Sequence, residues 1–65
     1  MLGNLYIAMK QKKVRQVDIA RLLKISEMSV SNKLKGKREL TRTEMFAIKN
    51  KYFPEADIEV LFKEV

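Results

Sequence analysis

The sequence predicts an all-α protein, a compact bundle of five short helices forming one domain over residues 1–65. Three observations predict it. Apolar residues recur at the three- and four-residue spacings of one helix face along most of the chain. Start residues (Asn, Ser, Thr) and stop residues (Gly, Pro) cut that pattern into short segments. The single proline, two glycines and few aromatics disfavour a turn-rich all-β fold, and the absence of cysteine excludes a disulfide frame.

The first helix is expected from about Asn4 to Lys12, with Asn4 as N-cap and Leu5, Ala8 and Met9 as its apolar stripe. The second runs from Gln16 to about Leu23. It buries Ile19, Ala20 and Leu23, with Val17 at the edge, and Asp18 suits the positive end of its dipole. Ala20 is small enough to let another helix approach closely, and Lys24 ends the segment.

Ser26 is a strong N-cap for the third helix, which runs to Lys35 and stops at Gly36. Ile25 and Val30 stand at the spacing of a hydrophobic staple, and Val30 and Leu34 face the core one turn apart. The fourth helix has the clearest start in the chain. Thr41-Arg42-Thr43-Glu44 is a capping box, with Leu40 and Met45 at staple spacing. Met45, Ile48 and Tyr52 line one face, Phe46 adds a second contact, and Pro54 ends the helix. A short fifth helix follows from about Asp57 to Lys63, with Ile58, Leu61 and Phe62 inward and Val60 to one side.

A domain this short buries only about 60% of the surface its unfolded chain exposes. Its stability must come from a close apolar core, helped by a partner where one binds. With no histidine and no cysteine, the chain lacks the usual zinc ligands and the usual catalytic bases and nucleophiles. It also lacks a glycine-rich phosphate loop. The alternating Glu55, Asp57 and Glu59 read as solvated surface. The sequence thus argues against an enzyme, and no cofactor or small-molecule ligand is expected. No apolar stretch reaches membrane-spanning length, and Lys10, Lys12 and Lys13 follow the first apolar run, the reverse of a signal peptide. A cysteine-free chain is compatible with the cytoplasm, the location expected here.

Charge is distributed unevenly. Residues 10–42 carry eleven Lys and Arg against three Asp and Glu, whereas residues 43–65 carry three basic and five acidic residues. A basic middle followed by a mildly acidic end fits one face made for a polyanion, or a surface that merely aids solubility.

The segment from Gln16 to Gly36 decides between these. Two short helices meet there at a tight joint, Lys24-Ile25-Ser26. With Val30 and Leu34 placed inward, Met28, Asn32 and Lys35 turn outward, flanked by Glu27, Ser29 and Ser31. A solvated face normally carries Lys and Glu at such positions. Small polar groups and a methionine suit base edges instead: Asn pairs with adenine, Ser serves several bases, Met meets a thymine methyl and Glu accepts from cytosine. Lys33, Lys35, Lys37, Arg38 and Arg42 follow closely enough to clamp phosphates, and Gln16 can offer both its side chain and a free N–H to one.

Gln16-Val17-Asp18-Ile19-Ala20, Ile25-Ser26 and the run from Ser29 to Lys37 resemble the helix-turn-helix of the lambda-repressor-like superfamily, which includes phage Cro and CI repressors and the xenobiotic-response-element regulators. The resemblance covers nearly the whole chain. It implies a helix-turn-helix within a five-helix bundle and, for function, a Cro-like phage or prophage repressor without an effector domain. Such a protein binds double-stranded operator DNA as a homodimer, with the helix at residues 26–35 in the major groove. It implies base contacts at Glu27, Met28 and Asn32, with Ser31 nearby, and phosphate contacts at Gln16 and along Lys35, Lys37 and Arg38; Ser29 and Arg42 are expected to add phosphate contacts. The chain departs from the family in having Arg15 where Ser or Thr usually caps the second helix. Lys24 replaces the usual turn glycine, at a cost if its φ is positive, and Lys33 replaces a common apolar residue.

Two other readings compete. An antitoxin-like or accessory regulator would dock a protein partner through Val60, Phe62 and Val65. A non-specific binder of nucleic acid or membrane would use charge alone. Against the latter, no aromatic platform for unpaired bases is evident, and the first helix is too short and weakly charged for an interfacial anchor.

Overall fold

Left-handed residues punctuate the chain as far as residue 36. Lys13 (φ 58°), Lys24 (φ 59°) and Gly36 (φ 86°) each close a helix in that conformation, and only the last is a glycine. The computed structural model describes residues 1–64. They form five α-helices: α1 (Gly3–Lys12), α2 (Gln16–Leu23), α3 (Glu27–Lys35), α4 (Arg42–Tyr52) and α5 (Ile58–Leu61). No strand occurs among the described residues, so the chain is an all-α bundle of five short helices.

Local chemistry accounts for most boundaries. The Ser29 N–H donates to Ser26 Oγ at 3.1 Å and caps α3. At the start of α4, Glu44 N–H donates to Thr41 Oγ1 at 3.1 Å while Thr41 N–H donates to Glu44 Oε1 at 2.9 Å, completing the capping box. Arg15 has no side-chain acceptor, so α2 has only the reverse half of such a box: Arg15 N–H donates to Asp18 Oδ2 at 2.9 Å. α4 stops at Tyr52, two residues before Pro54, as the ring's demand on its predecessor requires. Asp57 caps α5 rather than entering it, and that helix ends at Leu61, two residues short of the expected Lys63.

Packing joins these pieces into one core. α2 lies against both α3 and α4, and α5 against both α1 and α4. Leu5, Ile19, Val30, Leu34 and Ile48 are the fully buried centre, with Ala20 buried between neighbouring helices. Each such side chain contributes about 1.5–3 kcal/mol over its exposed state. Leu2 N–H donates to Leu34 O at 2.9 Å, tying the start of the chain to the end of α3.

Two expectations need correction, and one core residue carried no local signal. Asn4 is not an N-cap. The buried Leu2 draws the helix start back to Gly3, and the Asn4 amide instead donates to Val60 O at 2.9 Å. Phe46 adds little to the core, being 43% exposed, because the α4 face that meets the bundle is centred on Ile48. Phe53, which the sequence reading passed over, is buried beneath Lys12, whose Nζ lies 5.7 Å from the ring centroid and 3.2 Å from Tyr52 O. Of the residues considered for a protein contact, Val60 is exposed, Phe62 is half-buried and Val65 lies outside the described residues. No helix among the described residues is long and apolar enough to cross a membrane.

Candidate nucleic-acid interface

The joint between α2 and α3 is three residues, Lys24 to Ser26. It is short because Lys24 takes the left-handed conformation that reverses the chain, and Ile25 N–H returns to Ala20 O at 3.1 Å. α3 is then held by its apolar side. Val30 and Leu34 are each 2% exposed, whereas Met28 is 75% exposed. That contrast fixes the rotation of α3 about its axis. Met28, Asn32 and Lys35 follow at four- and three-residue steps and so share one outward stripe.

The candidate base-reading residues do not all stand alike. Met28 is largely exposed, while Ser31 and Asn32 are half-buried against the bundle. Glu27 is exposed but lies three positions before Val30, so it stands on Val30's side of the helix at its first turn, away from the Met28–Asn32 stripe. Ser29 is half-buried and engaged in the cap: its hydroxyl oxygen accepts from Ser26 Oγ at 3.0 Å, leaving its own hydroxyl hydrogen free to donate. Gln16 is the first residue of α2 and half-buried, with its backbone N–H among those a helix start leaves open.

The cations follow in a compact joint. Lys37 N–H and Arg38 N–H both donate to Asn32 O, at 2.9 and 3.3 Å, folding the chain back over the end of α3. Lys35, Lys37, Arg38 and Arg42 are all exposed and form no ion pair among the described residues. Four uncompensated positive side chains thus stand within eight positions of one another, beside the outward stripe of α3.

Lys33 is different. Sequence reading placed it in the same row of phosphate clamps, but its side chain is only 13% exposed and its Nζ lies 3.1 Å from Glu44 Oε1. It is an internal ion pair, directed inward because it precedes Leu34 on the flank of the buried face. The signal for this was present but non-local, in a glutamate eleven positions away that also serves the capping box.

Two carboxyls of this region titrate low. The Arg15 N–H hydrogen bond is the main cause at Asp18, outweighing its partial desolvation. At Glu44 burial opposes the ionised form, but the Thr41 N–H and the Lys33 ammonium together outweigh it. Both side chains therefore stay anionic at neutral pH. Among the described residues there is no cluster of acidic side chains suited to a metal ion.

Comparison of the chain with family models, with curated proteins and with solved structures finds no match.

Proposed function

We propose that the protein is a sequence-specific regulator that binds double-stranded DNA through a helix-turn-helix formed by α2 and α3, with α3 in the major groove. The observation that carries this reading is the rotation of α3: Val30 and Leu34 inward, Met28 outward and solvated. A large apolar side chain left in water forgoes about 1.5–3 kcal/mol of burial. In the middle of a small polar stripe, it has a use when a thymine methyl or another apolar groove edge meets it. A helix about 10–12 Å wide also fits a major groove about 12 Å wide.

In this reading Asn32, Ser31 and Met28 face base edges, while Glu27 stands off that stripe at the start of the helix. Lys35, Lys37, Arg38 and Arg42 neutralise one flanking phosphate run. Gln16 and Ser29 donate to the other, at the helix N-termini. Two copies on a near-palindrome, with half-site centres about one helical turn apart, would supply the affinity that one short helix cannot. Occupying such a site beside a promoter represses by excluding polymerase, as in the Cro-like proteins the sequence resembles.

Selection from a pool of randomised duplexes, followed by footprinting, tests the proposal. A single preferred site with two-fold symmetry is the expected outcome; equal binding to all sequences would overturn it. On the selected site, Asn32→Ala should cost about 1–3 kcal/mol and relax one base position. Lys35→Ala should weaken all duplexes alike and lower the slope of affinity against salt by about one. An Asn32→Ala variant that binds and discriminates like the parent would show that α3 docks some other way.

A further inference from the structure

Lys33 breaks the row of solvated cations, and what it holds explains why. Its Nζ donates to Glu44 Oε1 at 3.1 Å and to Glu39 O at 3.2 Å. The same Glu44 oxygen accepts Thr41 N–H at 2.9 Å. One ammonium therefore joins the last turn of α3, the far end of the 36–41 joint and the first turn of α4. The near end of that joint is fixed separately, by Lys37 N–H and Arg38 N–H on Asn32 O.

α3 and α4 pack mainly on α2 rather than on each other, so this ion pair is a direct tie between them. It is largely shielded from water, with side-chain exposures of 13% and 20%. A shielded pair with further hydrogen bonds on both partners holds geometry far better than a solvated one. Removing either member leaves the other partly buried and uncompensated.

We infer that Lys33 is a positioning residue for the proposed DNA interface: through Glu44 and Glu39 it holds the 36–41 joint in the shape that presents Lys37, Arg38 and Arg42 to a phosphate backbone. The inference rests on the DNA-binding reading for its functional half, whereas the anchoring of the joint stands on the hydrogen bonds alone. Lys33 itself does not touch DNA. A joint already folded loses less freedom when phosphates order its side chains, and this pre-organisation appears as affinity.

Limited trypsin digestion and DNA binding separate the two halves. Lys33→Met keeps the apolar stem and removes the ammonium. Glu44→Gln keeps an acceptor for Thr41 N–H and removes the charge. In both variants cleavage after Lys37 and Arg38 should accelerate roughly tenfold, the size of one lost charge-assisted hydrogen bond. Affinity for the best duplex from a randomised pool should fall by a similar factor. The double variant should be no worse than either single one, because both remove the same link. Lys33→Arg, which keeps a cationic donor, should restore protease resistance and binding together. If Lys33→Met fails to fold, Glu44→Gln carries the test alone.

A folded variant cleaved at the parent's rate overturns the inference. So does a double variant that loses the sum of both effects. Failure of the DNA-binding reading looks different: the parent selects no duplex, while the protease result stands. Faster cleavage with unchanged DNA affinity would remove the joint from the interface and overturn the functional half.

Discussion

Replacing Lys24 with glycine should stabilise the protein, although Lys24 ends a helix at the joint before α3. Its φ of 59° and ψ of 43° place an L-residue in the left-handed region. The crowding of Cβ against the carbonyl there costs about 1–2 kcal/mol. Glycine removes that cost but adds freedom to the unfolded chain, worth about 0.4–1 kcal/mol in the other direction. The two ranges leave a net gain centred on about 0.8 kcal/mol. In a domain this small each kcal/mol moves the midpoint by about 4–8 °C, so Tm should rise by roughly 3–6 °C. Lys24 has no ion pair among the described residues, so the substitution removes no such partner. Thermal melts followed by circular dichroism at 222 nm give the answer directly, with Lys24→Ala as control. Alanine keeps the Cβ and the strain, and should leave Tm within a degree or two of the parent. A glycine variant that melts at or below the parent, beside an unchanged alanine control, would show that the joint is not held in this conformation.

The opposite substitution at the end of α3 should harm. Gly36 has φ 86°, and an added Cβ would lie 2.7 Å from Glu64 Oε1, a flexible tip that can move aside. The backbone conformation therefore sets the cost of Gly36→Ala at about 1–2 kcal/mol, measurable as a lower urea midpoint. Acid should destabilise the fold through two of its capping carboxyls, Asp18 and Glu44. Asp18 and Glu44 both titrate lower when folded than their ordinary values of 3.8 and 4.5. Their contribution is complete above those values and is lost as pH falls through them towards the lower folded ones. Tm followed from pH 7 downwards should decline below about pH 4.5, and Glu44→Gln should flatten part of that decline. A Tm independent of pH across this range would deny both hydrogen bonds.

What the sequence made legible was local. Ser26 and the Thr41–Glu44 box gave the starts of α3 and α4 because a cap is a contract among four neighbouring residues. Gly36 and Pro54 gave the stops for the same reason. The outward direction of Met28 followed from the positions of Val30 and Leu34 and the helical period. The failures needed contacts between distant segments. Asn4 has the chemistry of a cap, yet the burial of Leu2 and the carbonyl of Val60 decide its place. Phe46 has the chemistry of a core residue, yet α4 turns Ile48, with Met45 and Tyr52, against the other helices and leaves Phe46 43% exposed. At the candidate interface, no periodicity distinguishes the largely exposed Met28 from the half-buried Ser31 and Asn32, because depth depends on the neighbouring helices. Lys33 shows this most clearly: within its own segment it is one more lysine, and only the fold brings Glu44 to it.

The hydrogen bond from Asn4 to Val60 spans 56 positions, and it marks where α1 finds its principal helical neighbour. α2 and α3 meet across three residues and can associate early. α1 finds its main helical contact in α5, the shortest helix, while Leu5 and Met9 are buried in the shared core. Closing so long a loop costs entropy that grows only slowly with length, but it is incurred before any reward. The contact between the first and last helices closes nearly the whole chain into one loop. A chain lacking residues 58–61 would leave α1 without its main helical neighbour and Asn4 without its Val60 acceptor.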